Sequence, residues 1–324
     1  MANYLVTGAA GFIASRVIEF LLEAGHTVTG IDNMNNAYDV RMKERRLGRL
    51  NVRDRFIFKH LDIVNREGLN QVFAGGNFDG VINLAARAGV RYSMENPGVY
   101  LDTNVTGTLH LLELCHTHGV GKFVLASSSS VYGANAPLPT PEEADSDHPL
   151  SVYAASKKAA EVLCHTYHNL YGIDITVFRY FVVYGPYGRP DMSMFRFTQW
   201  ISEDKPLILY GDGEQMRGFT YLDDIARGTI LGLKPLGYEI INLGGHESIK
   251  INRLIAMLEK RIGKKAQIES YPAHPADVFA NHASIEKAGR LLGWEPQVSL
   301  NEGVTSLVDW YEAERPWASQ LITR

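Results

Sequence analysis

A tyrosine and a lysine stand four residues apart in the segment SVYAASK, residues 151–157. In a helix this spacing places both side chains on one face, about one turn apart. Tyrosine is a poor base near neutral pH because its unperturbed pKa is about 10, but a fixed positive charge nearby favours the phenolate. Tyr153 is therefore a candidate general base, and we expect Lys157 to lower its pKa. The spacing alone is weak evidence, since a packed ring beside a solvated lysine shows it too.

A glycine-containing turn lies near the amino terminus, between a strand pattern at residues 4–6 and a helical pattern at residues 12–24. Gly8 permits a tight turn, and Gly11 lets the backbone approach a pyrophosphate at the helix N-terminus. The spacing Gly-x-x-Gly-x-x-Ala differs in its first interval from the common dinucleotide fingerprint. The sequence therefore predicts a strand, a phosphate-binding turn and a helix in succession.

A second strand pattern, at residues 27–32, ends in Asp32. At this distance from the glycine turn a carboxylate accepts hydrogen bonds from the ribose hydroxyls of the adenosine and repels a 2′-phosphate. We therefore predict NAD rather than NADP as the cofactor.

The chain continues as alternating strand and helix patterns up to about residue 180, which predicts a doubly wound parallel sheet of the Rossmann type. Strand patterns end at Asp62, at the small residues Ala85 and Ala86, and at a run of serines, residues 127–130. Ligands bind at such carboxyl ends in doubly wound sheets. Helical patterns cover residues 98–118 and 151–171. After residue 180 the pattern changes to mixed short strands and helices, so we expect a smaller second α/β domain.

Composition limits the classes of function. The chain has 324 residues, a formal net charge of -4 and 45% hydrophobic residues, which is ordinary for a soluble globular protein and argues against general nucleic-acid binding. The basic run at residues 41–49 is interpreted as the solvated face of a helix. No apolar run approaches the length of about 20 residues that a membrane-spanning helix needs. We expect no membrane partner and no signal peptide, because the chain starts directly with a strand pattern.

Cysteine and histidine usage adds two expectations. Cys115 and Cys164 lie in apolar helical patterns, so buried free thiols and a reducing cytoplasm are predicted. His165 and His168 lie one helical turn apart, but no third ligand completes a set, so no metal site is predicted.

The segment TGAAGFI at residues 7–13, Asp32, the serine run and the Tyr153-x-x-x-Lys157 pair occur in this order. The chain thereby resembles the extended short-chain dehydrogenase/reductases and, within them, the NAD-dependent nucleotide-sugar 4-epimerases, over nearly its whole length. The resemblance implies an NAD-binding Rossmann domain over residues 1–180. It also implies a domain over residues 181–324 that mainly binds a UDP-sugar, with segments that return to the Rossmann sheet.

The resemblance also implies roles for residues by position. It makes Ser128 a catalytic hydroxyl beside Tyr153 and Lys157. Contacts to tightly bound NAD fall on Gly8, Gly11, Phe12, Ile13, Asp32, Asn33, Asp62, Ile63, Leu84, Ala85, Ala86, Asn104, Tyr153, Lys157 and Tyr180. Contacts to the UDP-sugar fall on Arg87, Ser128, Ser129, Val182, Arg189, Leu209, Tyr210, Arg217 and Asp277.

The implied activity is that of an isomerase. Tyr153 as phenolate, with Lys157 and Ser128, removes the proton of the sugar 4-OH while a hydride passes from C4 to NAD. The 4-keto sugar rotates and receives the hydride on its other face, so that NAD is regenerated in each cycle. The helices at 98–118 and 151–171 resemble the pair that forms a dimer interface in this family, which implies a homodimer.

The identity of the sugar depends on two segments and on three single positions. Residues 88–97 and 185–192 resemble the UDP-glucuronate 4-epimerase branch, which predicts conversion of UDP-glucuronate to UDP-galacturonate. Three departures from the branch, however, keep a UDP-glucose/UDP-galactose or N-acetylated sugar 4-epimerase as the alternative: Val182 in place of Thr, Arg87 in place of Gln, and Gly218 in place of Asp.

Other activities fit less well. The 4,6-dehydratases carry Asp-Glu where Ser129 and Ser130 stand, and the glucuronate decarboxylases use a Glu that this segment lacks. An NAD-binding regulatory protein without turnover is the alternative of another class, and the intact Ser128, Tyr153 and Lys157 argue against it.

Overall fold

A large parallel sheet organises the chain. The computed structural model describes residues 1–273 and 278–323. Seven strands form the sheet in the order β10-β6-β5-β4-β1-β2-β3, all pairs being parallel. Their bounds are β1 Asn3–Thr7, β2 Thr27–Asp32, β3 Phe56–His60, β4 Gly80–Asn83, β5 Lys122–Ser128, β6 Asp174–Tyr180 and β10 Tyr238–Leu243. The order 3-2-1-4-5-6 is that of the dinucleotide-binding doubly wound fold, so the predicted fold class is confirmed.

Helices cover both faces of this sheet, because alternate residues of each strand are apolar on opposite sides. On one face Val6, Val124 and Phe178 pack with helices α1 and α9. On the other face Leu5 and Phe123 pack with α3, α6 and α7. The helices in chain order are α1 Phe12–Glu23, α2 Val40–Asn51, α3 Arg66–Gly76, α4 Val90–Glu95, α5 Pro97–Tyr100, α6 Gly107–Thr117, α7 Val152–Tyr171, α8 Ser193–Ser202, α9 Leu222–Leu231, α10 Ile251–Ile262, α11 Glu286–Leu292 and α12 Leu300–Ala318.

Helix α7 starts where the sequence predicts it. The Ser151 hydroxyl accepts a hydrogen bond from the Ala154 N–H at 3.2 Å and so caps the N-terminus. Gly172, at φ +69°, ends the helix in the left-handed conformation. Tyr153 consequently lies in the first turn of α7, next to the loop that leads into the helix.

The predicted regular helix at residues 98–118 differs from the structure. Between α5 and α6 the segment Leu101–Thr106 is π-helical. The wider turn contains Asn104, whose side chain bonds to the backbone of Arg87 and to Ser156. Single π-helical turns occur often at functional sites. Periodicity alone does not show such an insertion, because it is fixed by contacts distant in sequence.

The basic run in α2 also differs from the prediction of a solvated face. Met42, Lys43, Arg46 and Leu50 form the buried side of the helix, and Lys43 and Arg46 are only 5% and 1% exposed. These two cations therefore belong to the interior of the protein.

The chain after β6 builds a second group of elements. It contains β7 Val182–Tyr184, β8 Pro206–Tyr210, β9 Met216–Tyr221, β11 Ser248–Lys250, β12 Gln267–Tyr271 and β13 Ala280–Asn281. Strand β9 pairs with β7, β11 and β13, while β8 pairs with β12. Helices α8, α10 and α12 enclose an apolar cluster around Leu207, Leu254 and Leu307. Strand β10 returns to the large sheet beside β6.

Within the described part of the chain, no helix combines the length and the apolar character that crossing a bilayer requires.

Candidate active site

A cavity of about 460 Å³ lies at the carboxyl ends of the large sheet, where the strand order reverses between β1 and β4. This is the place at which doubly wound sheets bind ligands. Its walls come from both groups of elements. Of the residues predicted from the sequence, those that line it are Gly8, Gly11, Phe12, Ile13, Asp32, Asn33, Asp62, Ile63, Leu84, Ala85, Ala86, Ser128, Ser129, Tyr153, Lys157, Tyr180, Val182, Arg189 and Arg217.

The glycine turn fits a bound dinucleotide. Gly8 has φ +69°, and a Cβ there would come within 2.9 Å of backbone atoms of Ala85 and Leu84. A Cβ on Gly11 would come within 2.7 Å of the Gly8 carbonyl oxygen. Gly11 is also the N-cap of α1 and has no capping side chain. The turn thus leaves a bare backbone at a helix N-terminus, which favours a phosphate group.

The carboxylate of Asp32, at the end of β2, lies in the cavity wall beside this turn. It accepts hydrogen bonds from the N–H of Ala10 at 3.1 Å and of Met34 at 2.8 Å. Lys43 pairs with the same carboxylate at 3.2 Å. Asp32 is thereby fixed in place, which suits recognition of a ribose hydroxyl pair.

The walls on either side of Asp32 also fit an adenosine. Asn33 donates to Asp62 through a 2.6 Å bond between their side chains, so the ends of β2 and β3 are joined at the cavity. Phe12, Ile13 and Ile63 supply apolar surface there. The chemistry of these residues therefore agrees with the NAD that the sequence predicts.

The candidate catalytic side chains meet deeper in the cavity. Ser128 is the last residue of β5; its hydroxyl accepts a hydrogen bond from the Ser130 N–H at 3.2 Å and lines the cavity together with Tyr153. Lys157 donates to the Ala126 carbonyl oxygen at 2.7 Å and is 4% exposed. Strand β5 and the first turns of α7 thus bring Ser128, Tyr153 and Lys157 to one wall of the cavity.

The electrostatics of Tyr153 differ from the expectation. Burial raises the pKa of Tyr153, while Ser128 and the Arg189 cation act to lower it. Burial lowers the pKa of Lys157 to about 8, against the opposing effect of Glu161. In the structure, therefore, Ser128 and Arg189 act to lower the pKa of Tyr153, whereas Lys157 is hydrogen-bonded to a backbone carbonyl of β5.

A buried ion pair lies behind this wall. Arg179 donates to both carboxylate oxygens of Glu161, at 3.0 and 2.8 Å, and both side chains are 2% exposed. Ser127 donates a further hydrogen bond to Glu161. Because Glu161 lies one turn after Lys157 on α7, this pair fixes the helix to β5 and β6 directly beneath the candidate catalytic residues.

The loop after β7 brings a cation into the cavity. Arg189 forms a forked pair with Asp191, and both residues come from the turn-rich segment 185–192. Burial acts to lower the pKa of the Arg189 guanidinium, but Asp191 more than compensates, so the group stays charged. Arg217 of β9 and Val182 at the start of β7 line the same space.

Several predicted residues lie away from the cavity wall. Asn104 is 2% exposed and its amide is bound to Arg87 and Ser156, so the structure gives it a role in fixing the β4 exit rather than in touching the cofactor. The Arg87 side chain reaches Asn35 at 3.4 Å, and Leu209 is buried in the apolar cluster of the second group. Tyr210 stacks under Arg91, with the guanidinium carbon 3.9 Å from the ring centroid. Asp277 lies outside the described residues.

Sequence reasoning missed some residues of the cavity wall. Lys43, Tyr38, Asn35 and Met192 all line it. The one available signal was the spacing of Met42, Arg46 and Leu50 at four-residue intervals, which marks a buried side of α2. The tyrosine and the asparagine lie in the β2–α2 loop, where sequence patterns carry little information.

Comparison with known proteins identifies the family. Residues 4–244 match the NAD dependent epimerase/dehydratase family, and the chain belongs to it. A UDP-glucuronate 4-epimerase of Thermodesulfobacterium geofontis (strain OPF15) is 57% identical over 311 residues, which are 96% of each chain. The predicted family and its dependence on NAD are thereby confirmed.

Solved structures of 4-epimerases have a similar fold. A crystal structure of UDP-glucuronic acid 4-epimerase from Bacillus cereus, in complex with UDP-glucuronic acid and NAD, matches with a TM-score of 0.90 and 38% identity. The match covers 96% of this chain and 99% of that one. UDP-glucose 4-epimerase from Thermotoga maritima, with UDP-glucose, also gives a TM-score of 0.90, at 32% identity and with 97% and 99% of the chains covered.

Within residues 1–273 and 278–323, no group of three His, Cys, Asp or Glu side chains is arranged to hold a metal ion.

Proposed function

We propose that this protein converts UDP-glucuronate to UDP-galacturonate by NAD-dependent epimerisation at C4. The observation that carries the proposal is the meeting of Ser128, Tyr153, Lys157 and Arg189 in one cavity that also contains the Gly8 turn. The identity of 57% to a UDP-glucuronate 4-epimerase over almost the whole chain supports the substrate.

The chain's own residues perform the proton chemistry in this proposal. Tyr153 removes the proton from the sugar 4-OH and later returns one, acting as base and then as acid. The Ser128 hydroxyl and the Arg189 cation both act to lower the pKa of the Tyr153 phenol and so favour the phenolate. Lys157 is hydrogen-bonded to the Ala126 carbonyl and lines the cavity together with Tyr153; because its pKa is about 8, its ammonium group is positively charged below about pH 8. Bound NAD supplies the acceptor, and then the donor, of the C4 hydride.

The surroundings favour epimerisation over elimination or decarboxylation. The side chains that follow Ser128 in the cavity are the neutral hydroxyls of Ser129 and Ser130. Hydroxyls are poor acids and bases, so this segment does not supply the carboxyl groups that the dehydratases and decarboxylases carry there. Turning the sugar and returning the hydride is the course that this segment favours.

The second candidate is a UDP-glucose/UDP-galactose 4-epimerase, and Val182 favours it. Val182 lines the cavity and cannot donate a hydrogen bond to a sugar carboxylate. For UDP-glucuronate, other groups that line the same space, such as Ser129, Ser130 and Arg189, would have to donate to the carboxylate. A neutral sugar would need none of them.

The proposal also covers the individual site residues and the ligands that the two parts of the chain bind. Residues 1–180 would bind NAD and residues 181–324 mainly the UDP-sugar, with Arg217 contacting the diphosphate. Cys115 and Cys164 are buried free thiols, which supports a location in the reducing cytoplasm.

A homodimer is also part of the proposal. The outer side of α7 exposes Val162, Leu170 and Tyr171 by 55%, 64% and 46%, and Leu101 of the π-helical segment is 48% exposed. A second copy that packs its own helices here would cover these apolar side chains. Sedimentation of the wild type and of Val162→Glu tests this, since the variant should sediment as a monomer.

Turnover tests the proposed function. The purified protein is incubated separately with UDP-glucuronate, UDP-glucose and UDP-N-acetylglucosamine, without added NAD, and the 4-epimers are separated by ion-exchange chromatography. We expect UDP-galacturonate as the main product. Faster conversion of UDP-glucose would favour the second candidate, and the absence of any 4-epimer, even with NAD added, would refute both.

A further inference from the structure

A buried arginine of α2 joins two parts of the site that are far apart in sequence. Arg46 is 1% exposed. Its Nη1 donates to the Ala10 carbonyl at 3.1 Å, and its Nε and Nη2 donate to the Tyr187 carbonyl at 3.0 and 2.7 Å. One guanidinium thus cross-links the glycine turn of the cofactor half to the loop of the substrate half.

Both carbonyl acceptors, those of Ala10 and Tyr187, belong to segments whose backbone conformation is constrained. Ala10 sits between Gly8 and Gly11, and its N–H is already held by Asp32. Tyr187 has φ +58°, a conformation that costs about 1–2 kcal/mol for an L-residue and persists only when its surroundings hold it. Tyr187 comes two positions before Arg189.

Tyr38 forms a second connection between the two arginines. Its hydroxyl accepts a 2.6 Å hydrogen bond from Arg46, and the Arg189 guanidinium carbon lies 5.6 Å from its ring centroid. The ring is therefore close to both guanidinium groups, with its centroid 5.5 Å from the guanidinium carbon of Arg46 and 5.6 Å from that of Arg189.

The partners of Arg46 are all neutral oxygens in the hydrogen bonds that the structure describes: two carbonyls and a phenol. Burying a charge on neutral partners is expensive, and a simple packing contact would not require it. What arginine adds is a rigid fork that reaches several acceptors at once, which a lysine ammonium cannot do in this arrangement.

We propose that Arg46 is a positioning residue, which holds the Arg189 loop against the dinucleotide-binding turn and thereby fixes the distance between the Arg189 cation and the Tyr153 phenol. The inference rests on the proposed function only for its kinetic measurement.

The phenol of Tyr153 has identified neighbours on each element packed around it. Ser128 at the end of β5 and Arg189 favour its ionised form. Tyr100 of α5 packs edge-on, with ring centroids 6.1 Å apart, and Lys157 lies on its own helix. Arg189 is the member of this set that sits on the loop held by Arg46, so its movement is the change that the test detects.

The test is the variant Arg46→Lys, which keeps the charge at residue 46 but loses the fork. The matched control is Arg53→Lys, just after α2, where the arginine pairs with Glu23 at the surface. If Arg189 moves away, the pKa of Tyr153 rises, because the cation that favours its phenolate is lost and less phenolate is present at a given pH. We expect the acid limb of the kcat/KM profile to shift to higher pH in Arg46→Lys and to stay in place in Arg53→Lys.

A second measurement is independent of turnover. The absorbance change on ionisation of Tyr153 is obtained as the difference between each protein and the same protein carrying Tyr153→Phe. Arg46→Lys should shift this titration upward even if none of the tested sugars is a substrate, so failure of the proposed function leaves the inference testable. If Arg46→Lys does not fold, Tyr38→Phe, which removes one acceptor, should give a smaller shift in the same direction. An unchanged acid limb and an unchanged titration in the folded variant would overturn the inference.

Discussion

Replacing Gly8 by alanine tests how the glycine turn is built, and Gly119 provides a matched control. The two glycines have nearly the same backbone angle, φ +69° and φ +70°. A Cβ on Gly119 would meet no atom within 4 Å, whereas a Cβ on Gly8 would lie 2.9 Å from three backbone atoms of Ala85 and Leu84. Comparing the two variants therefore separates the destabilisation caused by the left-handed backbone angle from that caused by the steric contact.

The expected magnitudes follow from these two contributions. Alanine in the left-handed region costs about 1–2 kcal/mol, so Gly119→Ala should lower the free energy of unfolding by that amount. At Gly8 the overpacking adds about 1–3 kcal/mol, because the clashing atoms belong to the backbone and cannot rotate away. Gly8→Ala should therefore lose about 2–5 kcal/mol in total.

Urea denaturation with and without NAD measures both effects. A ligand at about 100 times its dissociation constant stabilises the native state by about 2.7 kcal/mol. Gly119→Ala should keep this gain, whereas Gly8→Ala should lose most of it because its turn is displaced from the phosphate position. Equal destabilisation by the two variants, or an unchanged NAD gain in Gly8→Ala, would refute the reasoning.

Four further predictions concern the cavity. Tyr153→Phe should lower kcat by at least about a hundredfold without loss of folding, since general acid–base catalysis typically contributes that much; undiminished turnover in a progress-curve assay would contradict the assignment. The kcat/KM profile should rise up to about pH 8 and then level off, because the Tyr153 phenolate grows with pH while Lys157 is charged below its pKa of about 8 and neutral above it; a profile that keeps rising steeply from pH 8 to 10 would count against this role. Val182→Thr should raise kcat/KM for UDP-glucuronate relative to UDP-glucose by about tenfold or more, the worth of a hydrogen bond to a charged group, as measured by competition between the two sugars. Asp32→Ala should weaken NAD binding and improve NADP binding, because it removes the carboxylate that repels a 2′-phosphate and leaves the Lys43 cation without its partner. Isothermal titration with both dinucleotides would show whether the preference changes.

The local parts of the fold could be predicted from the sequence. The strand, glycine turn and helix at the amino terminus depend on neighbouring residues, and the helix that begins after Ser151 has a capping hydroxyl in its own sequence. The serine run could be placed at the ligand-binding edge of the sheet because it follows a strand, whereas the resemblance to the family singled out Ser128 as the partner of Tyr153.

The contacts between distant segments could not be predicted in this way. The burial of Lys43 and Arg46 depends on Asp32 and on the Tyr187 carbonyl, which is 141 positions away from Arg46. The hydrogen bond that holds Lys157 ends on a backbone carbonyl of β5, and no pattern of side chains reveals it. For this reason the sequence points to the nearest lysine, and not to Ser128 and Arg189, as the group that lowers the pKa of Tyr153.

The role of Asn104 illustrates the same limit. The apolar pattern predicted a regular helix at residues 98–118, and the resemblance to the family assigned Asn104 in this helix to a contact with NAD. In the structure the π-helical turn directs the amide to Arg87 and Ser156 instead. We therefore expect Asn104→Ala to alter stability and the β4 exit more than the direct contacts to NAD.

The central claim is that the hydrogen removed from C4 of the sugar returns to the same carbon on the opposite face. UDP-glucuronate labelled with deuterium at C4 tests it most directly, with the reaction run in ordinary water and the product analysed by NMR and mass spectrometry. We predict UDP-galacturonate that retains the deuterium at C4. Product that has lost its deuterium to the solvent would contradict the claim.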